Sequence, residues 1–257
     1  GRPSAVAGVP PDYFSADGQL WGNPIYDWKK MKKDGYGWWR ARLAHELSLF
    51  DGVRIDHFRG LESYWSVPAG AETAKEGHWE KGPGKSFIRM LSEISDGKLI
   101  IAEDLGVITD EVAALREYGN FPGMRVLQFA FLGDPDSPHL PHNYVKNCVA
   151  YTGTHDNNTL LGWLWELDPG TRSRMLEYMG YSGNWEASIS TIIRRMLASS
   201  AGAVIFPLQD LLGYGSDTRL NRPGNAAGNW SYRVTYDQLS TIDRRHYAYL
   251  NKLYERS

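Results

Sequence analysis

The sequence has 257 residues and a single cysteine, Cys148, which excludes a disulfide framework and every metal site built on clustered cysteines. It contains no run of the roughly 18 apolar residues that a membrane helix needs. Its opening, Gly1-Arg2-Pro3-Ser4, lacks the apolar core of a signal peptide. Membranes are therefore not expected as partners. The expected location is cytoplasmic, with a plastid stroma equally compatible. Asn157-Asn158-Thr159 and Asn229-Trp230-Ser231 then match the glycosylation pattern only by accident. Charge of one sign is also missing: 28 basic and 30 acidic side chains leave a formal charge of −2. That balance argues against nucleic acid as a partner. The densest basic cluster, Lys29, Lys30, Lys32 and Lys33, reads as a solvated surface. Hydrophobic residues make up 42%, enough for a core and too many for disorder. Aromatic residues are abundant, with 10 Trp, 15 Tyr and 8 Phe. Part of them will be core, and ring-rich surfaces are also what sugars stack on.

The opening, Gly8-Val9-Pro10-Pro11-Asp12-Tyr13 to Gly22-Asn23-Pro24, is dense in Gly and Pro and reads as an ordered loop. Beyond it the pattern alternates. Short apolar runs predict strands at 53–58, 99–102, 124–131, 147–152 and 203–208. Helical spacing predicts helices at 38–50, 86–94, 111–118, 159–167, 171–179, 187–199 and 241–254. Strands alternating with helices, and apolar throughout, predict a parallel sheet covered on both faces. No linker or repeat is visible, so residues 1–257 read as one domain. A length near 250 is typical of a (β/α)8 barrel. An open Rossmann-like sheet is the rival, and no strand is followed by its glycine fingerprint.

Three familiar motifs fail. Lys81-Gly82-Pro83-Gly84-Lys85-Ser86 ends like a phosphate loop, yet Trp79 stands where its first glycine belongs. His45-Glu46 is followed by Leu49 rather than the second histidine of a zinc protease. No Gly-x-Ser-x-Gly elbow occurs. No cofactor and no metal are expected.

What remains is positional. Three predicted strands end in acidic residues: Arg54-Ile55-Asp56-His57, Ile101-Ala102-Glu103-Asp104 and Gly153-Thr154-His155-Asp156. In parallel α/β folds the C-terminal strand ends share one side, where active sites are built. Acidic residues at strand ends are also ordinary helix caps and turn formers, and three together weaken that alternative. Arg54 lies two residues before Asp56 and shares its side of the strand, so it can hold that carboxylate ionised. Glu103 follows an apolar Leu-Ile-Ile-Ala run and is the better candidate for a carboxyl kept protonated. Glycoside chemistry needs such a pair, with pKa values pushed apart.

At these residues the sequence resembles a known family. The segments from Asp51 to Gly60, Ile101 to Gly106 and Thr154 to Asn157 look like the three catalytic segments of 4-α-glucanotransferases. These are the amylomaltases or disproportionating enzymes, glycoside hydrolase family 77. The opening loop, with Pro10-Pro11-Asp12-Tyr13-Phe14 and Gln19-Leu20-Trp21-Gly22-Asn23-Pro24, resembles a signature that separates the family from ordinary α-amylases. Residues 79–84 and 219–224 fit its substrate-binding loops.

The resemblance implies Asp56 as nucleophile, Glu103 as general acid/base and Asp156 as the third carboxylate, gripping sugar hydroxyls. Arg54 and His155 match the family's helpers at the donor sugar. Asp12 and Trp21 match the loop covering the cleft, Asn221 the opposing loop, and Tyr13 and Phe14 the glucan-binding aromatics. The implied activity is retaining transfer of α-1,4-glucan segments to the 4-hydroxyl of an acceptor, with α-1,4-glucans and maltooligosaccharides as partners. The alternatives are an α-amylase-type hydrolase and an inactive glucan-binding fragment. In this family the nucleophile lies on the fourth barrel strand. The resemblance therefore implies the C-terminal part of a catalytic (β/α)8 TIM barrel, about strands 4 to 8 with extra loops and helices. The missing N-terminal part of the barrel is then a further expected partner.

Overall fold

Asp96 and Gly97, at φ 46° and 81°, stop one helix and turn the chain into a strand, as an Asp-Gly pair does best. Such punctuation sets the α/β order throughout the computed structural model, which describes residues 2–11 and 15–256. Asp12, Tyr13 and Phe14 lie outside the described residues. The chain divides into two compact units, Gly1–Gly123 and Met124–Ser257.

The first unit begins with β1 (Ala5–Val9) and β2 (Gln19–Pro24), then α1 (Trp28–Lys33), α2 (Gly37–Leu49), β3 (Gly52–Ile55), β4 (Ser63–Pro68) and β5 (His78–Lys81). It continues with α3 (Lys85–Ser95), β6 (Leu99–Ala102) and α4 (Asp110–Tyr118). Strands β3 and β6 pair in parallel, Gly52 with Leu99 through Ile55 with Ala102, and α3 forms the connection between them. The apolar positions of α3, Phe87, Ile88 and Leu91, are fully buried against Phe58, Ile100, Ala102 and Phe121. Each such side chain contributes about 1.5–3 kcal/mol by leaving water. A second sheet, antiparallel in the order β2-β1-β4-β5, stands on the chain that follows β3. Its register sets Ala5 opposite Pro68 and Trp65 opposite Trp79.

This second sheet corrects the sequence reading, which treated the opening segment as a loop. Its outer strands β2 and β5 are exposed along their whole length, so they carry no hydrophobic alternation to detect. Pairing of β1 with β4, some 60 positions apart, joins the two hairpins into one sheet. The four lysines of α1 are all exposed, as a solvated face requires.

The second unit contains most of β7 (Gly123–Val126), then β8 (Cys148–Tyr151), α5 (Leu160–Glu166), α6 (Pro169–Met179), α7 (Ile189–Leu197), β9 (Ala203–Ile205), α8 (Leu208–Leu212), α9 (Tyr236–Ser240) and α10 (Arg244–Leu253). Strand β7 is shorter than the expected 124–131, because a 3-10 turn takes over at Leu127–Phe129. Strand β8 is buried along its whole length and pairs in parallel with β9. Helices α5 to α7 bury Leu160, Leu164, Met175, Ile192 and Ile193 around it. Helix α6 starts as its sequence dictates: the Asp168 carboxylate caps the Gly170 and Thr171 amides, and Pro169 opens the first turn. Among the described residues no helix is long and apolar enough to cross a membrane.

Candidate active site

The β3–β6 ladder runs on past the strand ends. The Glu103 amide donates to the Ile55 carbonyl at 3.0 Å, and the Phe58 amide to the Glu103 carbonyl at 3.0 Å. Two carboxylates, Asp56 and Glu103, are thereby fixed side by side at the C-terminal ends of adjacent parallel strands. Phe58, fully buried, anchors the turn behind them. His57 makes that turn possible at a left-handed φ of 48°.

The two carboxylates have opposite surroundings. The Asp56 side chain is 76% exposed and accepts from an Arg54 guanidinium N–H at 3.2 Å. Glu103 is half-buried, and its oxygens accept the His57 amide at 2.7 Å and the Leu105 amide at 3.3 Å. Burial pushes the Glu103 carboxyl up to about 7, and the Asp56 charge adds to the effect. The two amides and Arg54 pull the other way without prevailing. One carboxyl is therefore poised near neutrality beside another in open solvent contact.

Trp21 reaches this point from β2, its indole 4.9 Å from the His57 ring in an edge-on contact. Burial, helped by the charge of Arg59, lowers the His57 pKa and keeps its imidazole neutral. A cavity of about 860 Å³ opens here, lined among others by Trp21, Tyr26, Arg54, Asp56, His57 and Tyr64. The sequence reading did not single out His57 or Tyr64. Their signal was adjacency to Asp56 for the one and an aromatic at the start of β4 for the other.

The second unit gathers its own set after β8. His155 Nε2 lies 3.3 Å from one Asp156 oxygen, and the Asn221 amide donates to the other at 2.5 Å. An Arg219 guanidinium N–H donates to the Asp156 carbonyl at 2.6 Å. The Thr154 amide and hydroxyl both donate to Asn157 Oδ1, closing the turn that presents Asp156. His155, Asp156 and Asn221 are thus brought together. Arg219 belongs to the 219–224 segment already named, whereas Trp230, whose ring lies 5.4 Å from that of His155, was not foreseen. Among the described residues no group of three or more His, Cys, Asp or Glu side chains could hold a metal ion.

The sequence model of the family described as 4-alpha-glucanotransferase, glycoside hydrolase family 77, matches residues 2–239. The chain belongs to this family. It is similar to the 4-alpha-glucanotransferase of Synechocystis, 51% identical over 258 residues that cover 100% of this chain and 51% of that protein. The Arabidopsis thaliana chloroplastic/amyloplastic relative is 48% identical over 95% of this chain and 43% of its own length. Among solved structures, an amylomaltase from Streptococcus agalactiae in complex with acarbose superposes with a TM-score of 0.92 at 36% identity. It covers 99% of this chain, which spans 51% of it. The chain thus spans about half the length of the curated family members it matches. Its α/β architecture is that of the amylomaltases.

Proposed function

We propose that this chain carries the catalytic residues of a 4-alpha-glucanotransferase that works by retaining double displacement. The observation carrying this reading is the contrast between exposed, arginine-paired Asp56 and half-buried Glu103 with its pKa near 7. That is the division between nucleophile and acid/base that glycoside chemistry requires.

Asp56 attacks the anomeric carbon of an α-1,4-glucan while protonated Glu103 gives its proton to the departing oxygen. The reducing-end fragment leaves and the glucosyl group remains on Asp56. A second glucan then offers its 4-hydroxyl, Glu103 removes the proton, and the α-1,4 bond re-forms with retention. Such a mechanism works with carboxyl groups about 5–5.5 Å apart. Arg54 orients Asp56 through its guanidinium contact. Asp156, set by Asn221 and Arg219, acts as the third carboxylate on sugar hydroxyls, with His155 as its neighbour at the donor sugar. Trp21 covers the catalytic turn from β2, and family resemblance assigns Asp12 to the same covering loop and Tyr13 and Phe14 to glucan binding. Transfer exceeds hydrolysis where an acceptor is held in place and water limited.

The fold proposal is finer than α/β. The parallel strands β3, β6, β7, β8 and β9 are read as about the fourth to eighth of a (β/α)8 barrel. Cytoplasm is the proposed compartment, or a plastid stroma as for the chloroplastic/amyloplastic relative. Incubation with maltotriose tests the activity. Glucose together with longer maltooligosaccharides is expected. Shorter sugars alone would mean hydrolysis, and an unchanged trace would contradict activity of this chain.

A further inference from the structure

We infer that the short helix α8 is the positioning element of the Asp156 site: Asp210 fixes the loop that carries Asp156, and Gln209 fixes the segment that grips it. The inference rests on the transferase reading above and deepens it, because it names residues that set the third carboxylate without touching sugar.

Helix α8 holds two adjacent polar side chains that are almost wholly buried, Gln209 at 4% exposed and Asp210 at 1%. Burial of such groups is unfavourable unless hydrogen bonds offset the lost hydration. Here the offsetting bonds go to the roots of two loops.

The two Asp210 oxygens accept the Thr152 hydroxyl at 2.6 Å and the Leu160 amide at 2.7 Å. Thr152 directly follows β8 and Leu160 opens α5, so one carboxylate ties together both ends of residues 153–159. His155 and Asp156 lie between those ends. Burial pushes the Asp210 carboxyl up to about 6 while the two donors hold it down, so above that pH it is an ionised acceptor for both. The loop is also held from within. Gln128 Nε2 donates to the Asn158 carbonyl at 2.8 Å, and Gly153 makes room, since a Cβ there would come within 2.6 Å of that nitrogen.

Gln209 serves the other segment. Its Nε2 donates to the Thr218 carbonyl at 3.0 Å. Arg219 follows directly and holds the Asp156 carbonyl, and Asn221 holds the Asp156 carboxylate. A displacement of Thr218 is passed to both contacts. If Asp156 grips sugar hydroxyls most tightly as the ring distorts, its misplacement costs rate rather than affinity.

Two readouts test this. The first needs no turnover: the Asn221 side-chain amide protons, assigned by their loss in Asn221→Ala, report the contact with Asp156. In Gln209→Met, which keeps the volume and removes the donor, they are expected to shift and to exchange faster with solvent. The second is maltotriose transfer, measured well below the unfolding midpoint. Gln209→Met should lower kcat about tenfold with KM within about twofold, and add little to the loss caused by Asn221→Ala. Asp210→Asn, whose amide can accept from Leu160 and donate to the Thr152 hydroxyl, should recover most of the activity that Asp210→Ala loses. Asn221 signals unchanged in Gln209→Met, a loss that multiplies fully with that of Asn221→Ala, or Asp210→Asn no better than Asp210→Ala would overturn the positioning role. Shifted Asn221 signals in Gln209→Met, with no transfer by the native chain, would overturn the transferase reading and keep the positioning one. The two arms use different residues, so a variant that fails to fold leaves the other arm to decide.

Discussion

The raised pKa of Glu103 has a consequence for stability that can be worked out and measured. In the folded chain its carboxyl titrates at about 7, against 4.5 when unperturbed. Because the folded-state pKa is the higher one, folding favours the protonated form. The group's contribution is fully present below pH 4.5 and is lost as pH rises through 7. The gap corresponds to at most about 3 kcal/mol, at ~1.4 kcal/mol per pH unit. Glu103→Gln removes the titration and keeps the shape, at a pH-independent cost in hydrogen bonding to the His57 and Leu105 amides. We therefore predict that stability of the native chain falls relative to Glu103→Gln by up to about 3 kcal/mol between pH 4.5 and 8. Urea unfolding of both proteins at several pH values measures the difference. Adding Asp56→Asn to both should shrink it, because the second cause of the raised pKa is then gone while burial remains. Parallel stability curves across this range would refute the reasoning.

Other outcomes follow from particular contacts. Asp210, buried, accepts the Leu160 amide at 2.7 Å and the Thr152 hydroxyl at 2.6 Å, tying β8 to the start of α5. Asp210→Ala leaves both donors unmet and should cost about 2–4 kcal/mol in denaturant unfolding. Gly82→Ala places a Cβ within 2.4 Å of the Gly60 and Leu61 carbonyl oxygens, and should lower stability by about 1–3 kcal/mol. Asn221→Ala removes a hydrogen bond to the Asp156 carboxylate and should reduce kcat/KM for maltotriose transfer about tenfold, with the unfolding midpoint little changed.

The parallel strands were legible because burial on both faces makes them short apolar runs. Strand β6 matches its expected span, and β8 falls within one residue of it at each end. Helix α3 was legible for the same reason, since Phe87, Ile88 and Leu91 repeat at helical spacing. The antiparallel sheet was not, because β2 and β5 are exposed throughout and β1 is joined to β4 by a pairing some 60 positions apart. At the site, Asp56 and Glu103 stood out as acidic residues ending apolar strands. His57 did not, since its part is played by a backbone amide that no side-chain pattern reveals. Arg219 and Trp230 come from the loops around 219–233, whose folding back on residues 155–156 has no local signal.

The central claim is that Asp56 becomes glycosylated while Glu103 handles the proton. Glu103→Gln chain incubated with α-maltotriosyl fluoride tests it directly, because fluoride departs without a proton and the second step then lacks its base. Peptide mass spectrometry should find a maltotriosyl group on the peptide containing Asp56, and none when Asp56→Asn is added. An adduct on another residue, or none at all, would contradict the account.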